Sequence, residues 1–143
     1  MGDHYKKSIT LPNDVQTVPA LNNFVDEVCE QAGFDMSMTM KMNLAIEEAV
    51  VNVMDYAYPE GTKGDVVVEA TVDDQYLAFV IIDSGKPFDP TTKDDADTTL
   101  SAEERPIGGL GIFLVRQLMD ELHYEYKGGK NVLRLKKKLT TND

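Results

Sequence analysis

The stretch that decides the fold is KMNLAIEEAVVNVMDYAY, which runs from Lys41 to Tyr58. Its central part, Leu44 to Met54, contains no glycine or proline, and its alanine and leucine residues favour a helix. At about 100° per residue, one arc of this helix is entirely apolar and should pack against a sheet. The residues on that arc are Met42, Ile46, Ala49, Val50, Val53 and Ala57. The stretch therefore predicts an amphipathic helix.

The opposite side of the predicted helix carries a row of polar side chains, Glu48, Asn52 and Asp55. Residues three and four apart are neighbours on a helix surface, so these three should lie together. The residues that flank the row are apolar: Leu44, Ala45 and Val51. A carboxylate and an amide one turn apart in apolar surroundings indicate a ligand pocket. The same spacing also occurs on solvated helix faces, so by itself it leaves both interpretations open.

Composition narrows the class of protein. The 143 residues, 42% of them hydrophobic, suffice for a single domain (residues 1–143) with its own core. No apolar run approaches the roughly 18 residues of a membrane span, and the N-terminus lacks a signal-peptide core. The lone cysteine, Cys29, should be a small core residue. A single cysteine cannot form an internal disulfide, which favours the reducing cytoplasm. The net charge of −11 disfavours direct nucleic-acid binding, because a duplex attracts a positive patch.

The order of predicted elements is βααββ, a long loop, then αββ. A first strand should cover Tyr5 to Leu11, and a helix should run from an N-cap at Thr17 to a terminator at Gly33. The second helix should begin within Ser37 to Lys41, and the third should extend to Leu122. This order predicts an α+β fold: a two-layer sandwich with three helices on one face of a mixed, mostly antiparallel sheet of about five strands.

Asp83 ends the most apolar predicted strand and is followed by Ser84 and Gly85. A buried acid needs hydrogen-bond donors, and an exocyclic amine such as that of adenine is a suitable one. Gly85 would let a base come close to the backbone. Many ordinary strand ends also read Asp-x-Gly, so this motif alone is compatible with a simple turn.

Two further features follow along the chain. Residues 86–107 form an acidic segment without periodicity. Loops of this length are usually lids or binding loops, otherwise disordered segments, and we favour a lid.

This segment leads into Gly109, Leu110 and Gly111 at the start of a helix, where glycines free backbone N–H groups to face phosphate. An ordinary flexible turn is the alternative, and the motif is not a P-loop.

Taken together, these motifs resemble one family. The runs Ile46–Asn52 (IEEAVVN), Asp83–Asp89 (DSGKPFD) and Gly108–Asp120 (GGLGIFLVRQLMD) closely resemble the anti-sigma-factor serine kinases. Those proteins belong to the GHKL class of ATPases, with the Bergerat nucleotide-binding fold. The resemblance extends over residues 5–139, and Gly129–Leu133 is similar to the closing hairpin of the family.

The resemblance implies specific roles. Glu48 would be the catalytic base, Asn52 would coordinate Mg²⁺, and Asp55 would add to the ribose or metal side with less support. Asp83 would bind the adenine amine, with Gly85 beside it. Four residues would border the phosphates: Arg105, Gly109, Leu110 and Gly111.

The resemblance further implies an ATP- and Mg²⁺-dependent protein serine/threonine kinase that acts as an anti-sigma regulatory factor. Family members phosphorylate a serine of a STAS-type antagonist protein, sequester a sigma factor in the other partner state, and are often homodimers. The alternatives are a nucleotide-binding partner switch without phosphate transfer, the ATP-binding half of a sensor histidine kinase, and an interaction domain that binds no nucleotide.

Overall fold

The computed structural model describes residues 5–58, 63–87 and 109–139. Three α-helices and five strands follow one another along these ranges in the order βααββαββ. The elements are β1 (Tyr5–Pro12), α1 (Val18–Ala32), α2 (Met36–Asn52), β2 (Asp65–Val72), β3 (Tyr76–Asp83), α3 (Gly109–Leu118), β4 (Glu121–Lys127) and β5 (Lys130–Lys138). A 3₁₀ turn (Val15–Thr17) precedes α1, and a π-helix (Val53–Ala57) continues α2. None of the described helices is long and apolar enough to cross a membrane.

The five strands form one sheet in the order β1-β2-β3-β5-β4, and all four pairings are antiparallel. Burial alternates along β2 and β3, because successive side chains point to opposite faces of the sheet. The buried face joins the helices in one hydrophobic core. The α+β prediction of three helices on a five-stranded sheet is confirmed, except that the described sheet is antiparallel throughout and not mixed.

The apolar arc predicted for the second helix is buried along its whole length. Met42, Ile46 and Val50 are fully buried, as is Ala57 beyond the end of α2, while Ala49 and Val53 are almost so. These side chains share the core with β2, β3 and α1. The apolar spacing in the sequence therefore identified the correct face of the helix.

The boundaries of the first two helices are partly as predicted. Gly33 ends α1 in the left-handed conformation, with φ 81°. Thr17 precedes α1 as expected, but its hydroxyl donates to the Asp14 carbonyl oxygen (2.6 Å) and does not cap the helix. Helix α2 begins at Met36, before the predicted range, because the Asp35 carboxylate accepts a hydrogen bond from the Met38 N–H (2.8 Å).

Helix α3 is shorter than predicted, since it ends at Leu118 and not at Leu122. The cause is a tertiary contact with the sheet. The Asp120 N–H donates to the Lys136 carbonyl oxygen (2.9 Å), and the Asp120 carboxylate accepts from the Lys138 N–H (2.8 Å). These bonds pull the chain into β4, which begins at Glu121.

Candidate nucleotide-binding site

Glu48 and Asn52 lie one turn apart near the end of α2, as predicted. Glu48 is half-buried, and this burial raises the pKa of its carboxyl, with a smaller contribution from the neighbouring charge of Glu47. Asn52 is 3% exposed, and its Nδ2 donates to the Glu48 carbonyl oxygen (2.9 Å). The Asn52 side chain is therefore fixed against the helix backbone, on the side of α2 that also carries Glu48 one turn earlier.

The side-chain amide oxygen of Asn52 is a suitable ligand for a divalent cation. Its amide nitrogen is engaged with the helix backbone, and no donor to its Oδ1 is found within the described ranges, so this neutral oxygen is the atom available to a cation. An amide oxygen is a ligand that Mg²⁺ accepts alongside phosphates and water. The described residues contain no cluster of three or more His, Cys, Asp or Glu that could hold a metal ion. Asp55, the secondary candidate, is exposed on the π-helix.

The π-helix joins this end of α2 to the turn after β3. The Ala57 carbonyl oxygen accepts a hydrogen bond from the Lys86 N–H (2.8 Å). A Cβ atom on Gly85 would lie 2.3 Å from that same oxygen and 2.7 Å from the Ala57 carbonyl carbon, so no larger residue fits without a backbone shift. The structure thus shows that the π-helix backbone approaches Gly85 closely. The approach of a base to the same glycine stays a prediction.

Asp83 is the last residue of β3, on its buried face, and is 2% exposed. Its Oδ1 accepts two hydrogen bonds, from the Gly85 N–H (2.8 Å) and from the Asn131 side-chain amide (2.8 Å). Burial raises the pKa of the carboxyl, and these two donors oppose that rise. Since no described residue donates to Oδ2, one oxygen is fixed and the other is available to a ligand.

Asn131 belongs to this candidate site although it was not among the predicted site residues. It lies opposite Asp83 in the β3–β5 register and is 4% exposed. Its amide also donates to the Lys86 carbonyl oxygen (2.8 Å), and its Oδ1 accepts from the Tyr124 hydroxyl. The signal was present in β5, where an asparagine occupies a position whose successors on the same face, Leu133 and Leu135, are buried.

Tyr58 is a second residue of this region that was not among the predicted site residues. Its hydroxyl accepts a hydrogen bond from the Ser84 N–H (2.9 Å) and donates to the Asp65 carbonyl oxygen (2.8 Å). It therefore ties the chain after the π-helix to the start of β2 and the end of β3. Its ring lies so close to Gly64 that a Cβ atom there would approach Cε1 within 2.3 Å.

A cleft of about 650 Å³ opens beside the Asp83 turn. Its lining includes Asp83, Gly85 and Tyr58, together with the apolar side chains of Val67 and Ile82. Three lysines also line it: Lys63, Lys86 and Lys130. Glu48 and Asn52 do not line this cleft, so it accounts for the Asp83 end of the predicted site alone.

The predicted phosphate loop is described in part. Gly109 is the first residue of α3, and Leu110 and Gly111 belong to its first turn, as the sequence predicted. Helix α3 packs against α2, and Val115 is buried in the shared core. The helix start is thus attached to the helix that carries Glu48 and Asn52. Arg105 and residues 88–108 of the predicted lid region lie outside the described residues.

A family model described as the histidine kinase-like ATPase domain matches residues 11–137. The chain belongs to this family. The match covers every strand and helix from α1 to β4 and most of β5, and it therefore includes all the site residues discussed above. The family resemblance stated from the three motifs is confirmed.

Several relatives of this ATPase-family chain are serine-protein kinases. It is 28% identical over 137 residues to the serine-protein kinase RsbW of Listeria monocytogenes serovar 1/2a, a match that covers 93% of this chain and 87% of the relative. The serine-protein kinase RsbW of Bacillus cereus (strain AH187) is 26% identical over 135 residues, with 92% and 84% covered.

A solved structure has the same fold. The crystal structure of the RsbU and RsbW domains of a Mycobacterium tuberculosis protein superposes with a TM-score of 0.68 at 19% identity. The match covers 96% of this chain, which spans 33% of that longer chain. This likeness supports the fold assignment.

Proposed function

We infer that this protein is an ATP-dependent protein serine/threonine kinase that acts as an anti-sigma regulatory factor. The observation that carries the inference is the identity of the strongly polar side chains buried in the described structure: Asn52, Asp83 and Asn131. The family resemblance implies that Asn52 coordinates Mg²⁺ and that Asp83 binds the adenine amine, and Asn131 donates a hydrogen bond to Asp83. The matched family and the relatives named serine-protein kinases support the same activity.

Glu48 is the proposed catalytic base. Its half-buried position raises the pKa of the carboxyl, which increases its affinity for the proton of an acceptor hydroxyl. The base is active when deprotonated, so phosphate transfer should fall as the pH drops through this raised pKa, above the ordinary range for glutamate. Asn52 is the proposed protein ligand of Mg²⁺, an ion that would neutralise charge on the phosphates of ATP.

The base of the nucleotide is proposed to lie at the Asp83 turn. Asp83 would accept a hydrogen bond from the adenine amine through Oδ2, since Oδ1 is already occupied by Gly85 and Asn131. The first turn of α3 is a proposed phosphate contact, because unpaired N–H groups at a helix start attract anions. Arg105 is the other proposed phosphate contact. Asp55 stays a secondary proposal for the ribose or metal side.

The proposed partners follow from the family resemblance. A serine of a STAS-type antagonist protein is the proposed acceptor, and a sigma factor or an equivalent regulator is the protein held in the other partner state. A homodimer in the cytoplasm, with direct contact to neither nucleic acid nor membrane, is the proposed form.

The test is a phosphate-transfer assay with γ-labelled MgATP and purified STAS-domain proteins. The wild type should label one serine of its acceptor. Glu48→Gln should keep its affinity for MgATP and lose transfer by about 10²- to 10⁴-fold, the usual contribution of a general base. Asn52→Ala should lose Mg²⁺-dependent ATP binding as well.

Glu30→Gln is the matched control, because Glu30 is an exposed helical carboxylate on α1. It should transfer phosphate at the wild-type rate. Equal transfer by the wild type and Glu48→Gln refutes the assignment of the base. Binding of MgATP by the wild type without transfer to any STAS-domain protein refutes the kinase and favours the nucleotide-binding switch.

A further inference from the structure

The first half of α2 carries an exposed row of large hydrophobic side chains. Met36 is 80% exposed, Met40 66% and Leu44 43%. Because they are four residues apart, they form one continuous ridge of the helix surface. Among the described residues, only one other large hydrophobic side chain, Tyr126, is comparably exposed (46%).

This ridge, Met36–Met40–Leu44, leads directly to the proposed catalytic base. Glu48 is the next residue in the same i, i+4 row. Each step advances about 6 Å along the helix, so Met36 lies about 18 Å from Glu48 along the helix axis. The exposed apolar surface and the reacting carboxylate are therefore parts of one continuous feature.

The ridge is not required by the core of the protein. Helix α2 already buries a separate face, through Met42, Ile46 and Val50. A contiguous exposed apolar patch on a soluble domain marks an interaction site more often than chance exposure does. Methionine suits such a surface, because its flexible thioether side chain adapts to the shape of a partner.

We propose that this ridge is the docking surface for the protein substrate and receives an apolar helix of that protein. The inference rests on the proposed kinase function. A kinase that acts on a protein must hold the acceptor hydroxyl at its base, and the ridge is an exposed apolar surface that ends one helical turn before Glu48. An i, i+4 ridge fits between the side-chain rows of another helix. Lys41, exposed beside the ridge, would pair with an acidic side chain of the occupant.

The test uses the STAS-domain protein that the wild type phosphorylates. The double variant Met36→Gln/Met40→Gln removes the apolar surface with residues that favour a helix and add no charge. It should raise KM for the acceptor protein by about tenfold or more, as expected for the loss of central interface side chains. Its kcat and its calorimetric affinity for MgATP should stay at the wild-type values, because neither residue contacts the nucleotide end of α2.

Tyr126→Gln is the matched control, since it removes a similarly exposed hydrophobic side chain on β4, and its KM should not change. Unchanged KM in the double variant, with normal transfer by the wild type, refutes the docking surface alone. An equal rise in KM in Tyr126→Gln also refutes it, because the effect is then not specific to the ridge. Failure of the wild type to phosphorylate any STAS-domain protein refutes the proposed function and this inference with it.

Discussion

Replacing Asn131 with alanine should destabilise the protein in a way that depends on pH. The Asn131 amide supplies one of the two hydrogen bonds to Asp83 Oδ1 and one to the Lys86 carbonyl oxygen. A bond to a buried carboxylate contributes about 1.5–3 kcal/mol, and one between neutral groups about 1 kcal/mol. The expected loss in the free energy of unfolding is therefore about 3 kcal/mol at pH 7.

The pH dependence follows from the pKa of Asp83. Burial raises this pKa above its ordinary value of 3.8, and Asn131 is the larger of the two influences that lower it. A raised pKa in the folded state favours the protonated form, so this group stabilises the fold at low pH and loses that contribution as the pH rises through the folded pKa. Removing Asn131 raises the pKa further. The variant should therefore differ most from the wild type at neutral pH, and the difference should shrink on acidification.

Urea unfolding at a series of pH values measures the difference in stability between variant and wild type. The NMR titration of the Asp83 carboxyl carbon measures the difference in its pKa independently. Each unit of difference in the pKa of Asp83 between variant and wild type should correspond to about 1.4 kcal/mol of difference in stability. Tyr124→Phe is the control, because it removes only the hydroxyl that donates to Asn131 and should cost about 1 kcal/mol. A loss of stability in Asn131→Ala that does not vary with pH would refute the idea that Asn131 supports an ionised Asp83.

Three further predictions concern the surroundings of the site and the core. Gly85→Ala should lose about 1–3 kcal/mol in urea unfolding, because the added Cβ meets the main chain of the π-helix at 2.3 Å; Ser84→Ala, at an exposed position of the same turn, should be neutral. Tyr58→Phe should lose about 1–3 kcal/mol in the same assay, since it leaves a partly buried N–H and carbonyl oxygen without their partner; an unchanged midpoint would contradict this role. Burial raises the pKa of Cys29 to about 12, so its thiol should resist a disulfide reagent at pH 8 until urea unfolds the chain.

The parts of the fold that local sequence determines were predicted well. The apolar spacing of α2 identified its buried face, and the glycine after α1 identified the helix end. The start of α2 was predicted within Ser37 to Lys41, although Asp35, a common N-cap residue, begins the helix at Met36. The early end of α3 was not visible in the sequence, since the bonds of Asp120 are made to β5, a distant strand.

In the site, too, features set by local sequence could be predicted, whereas features set by tertiary contacts could not. Glu48, Asn52 and Asp83 could be predicted as site residues because each belongs to a short motif, and the structure buries the last two almost completely. Asn131 acts across 48 residues of chain, so its role depends on the register between β3 and β5. Tyr58 bonds two strand ends that are separate in sequence. Such contacts depend on tertiary structure, which residue spacing does not encode.

The π-helix after Asn52 changes the angular relationship between the two ends of this helix. In an uninterrupted α-helix the direction of every side chain is fixed by those before it, at about 100° per residue. A π-turn, with its i to i+5 bonding, inserts an additional residue and so offsets this phase. The orientation of the Glu48 and Asn52 side chains is thereby decoupled from that of the Ala57 carbonyl, which accepts a hydrogen bond from Lys86 in the turn after β3. The polar side chains near the end of α2 and the Ala57 carbonyl can therefore each take the orientation they need without constraining the other.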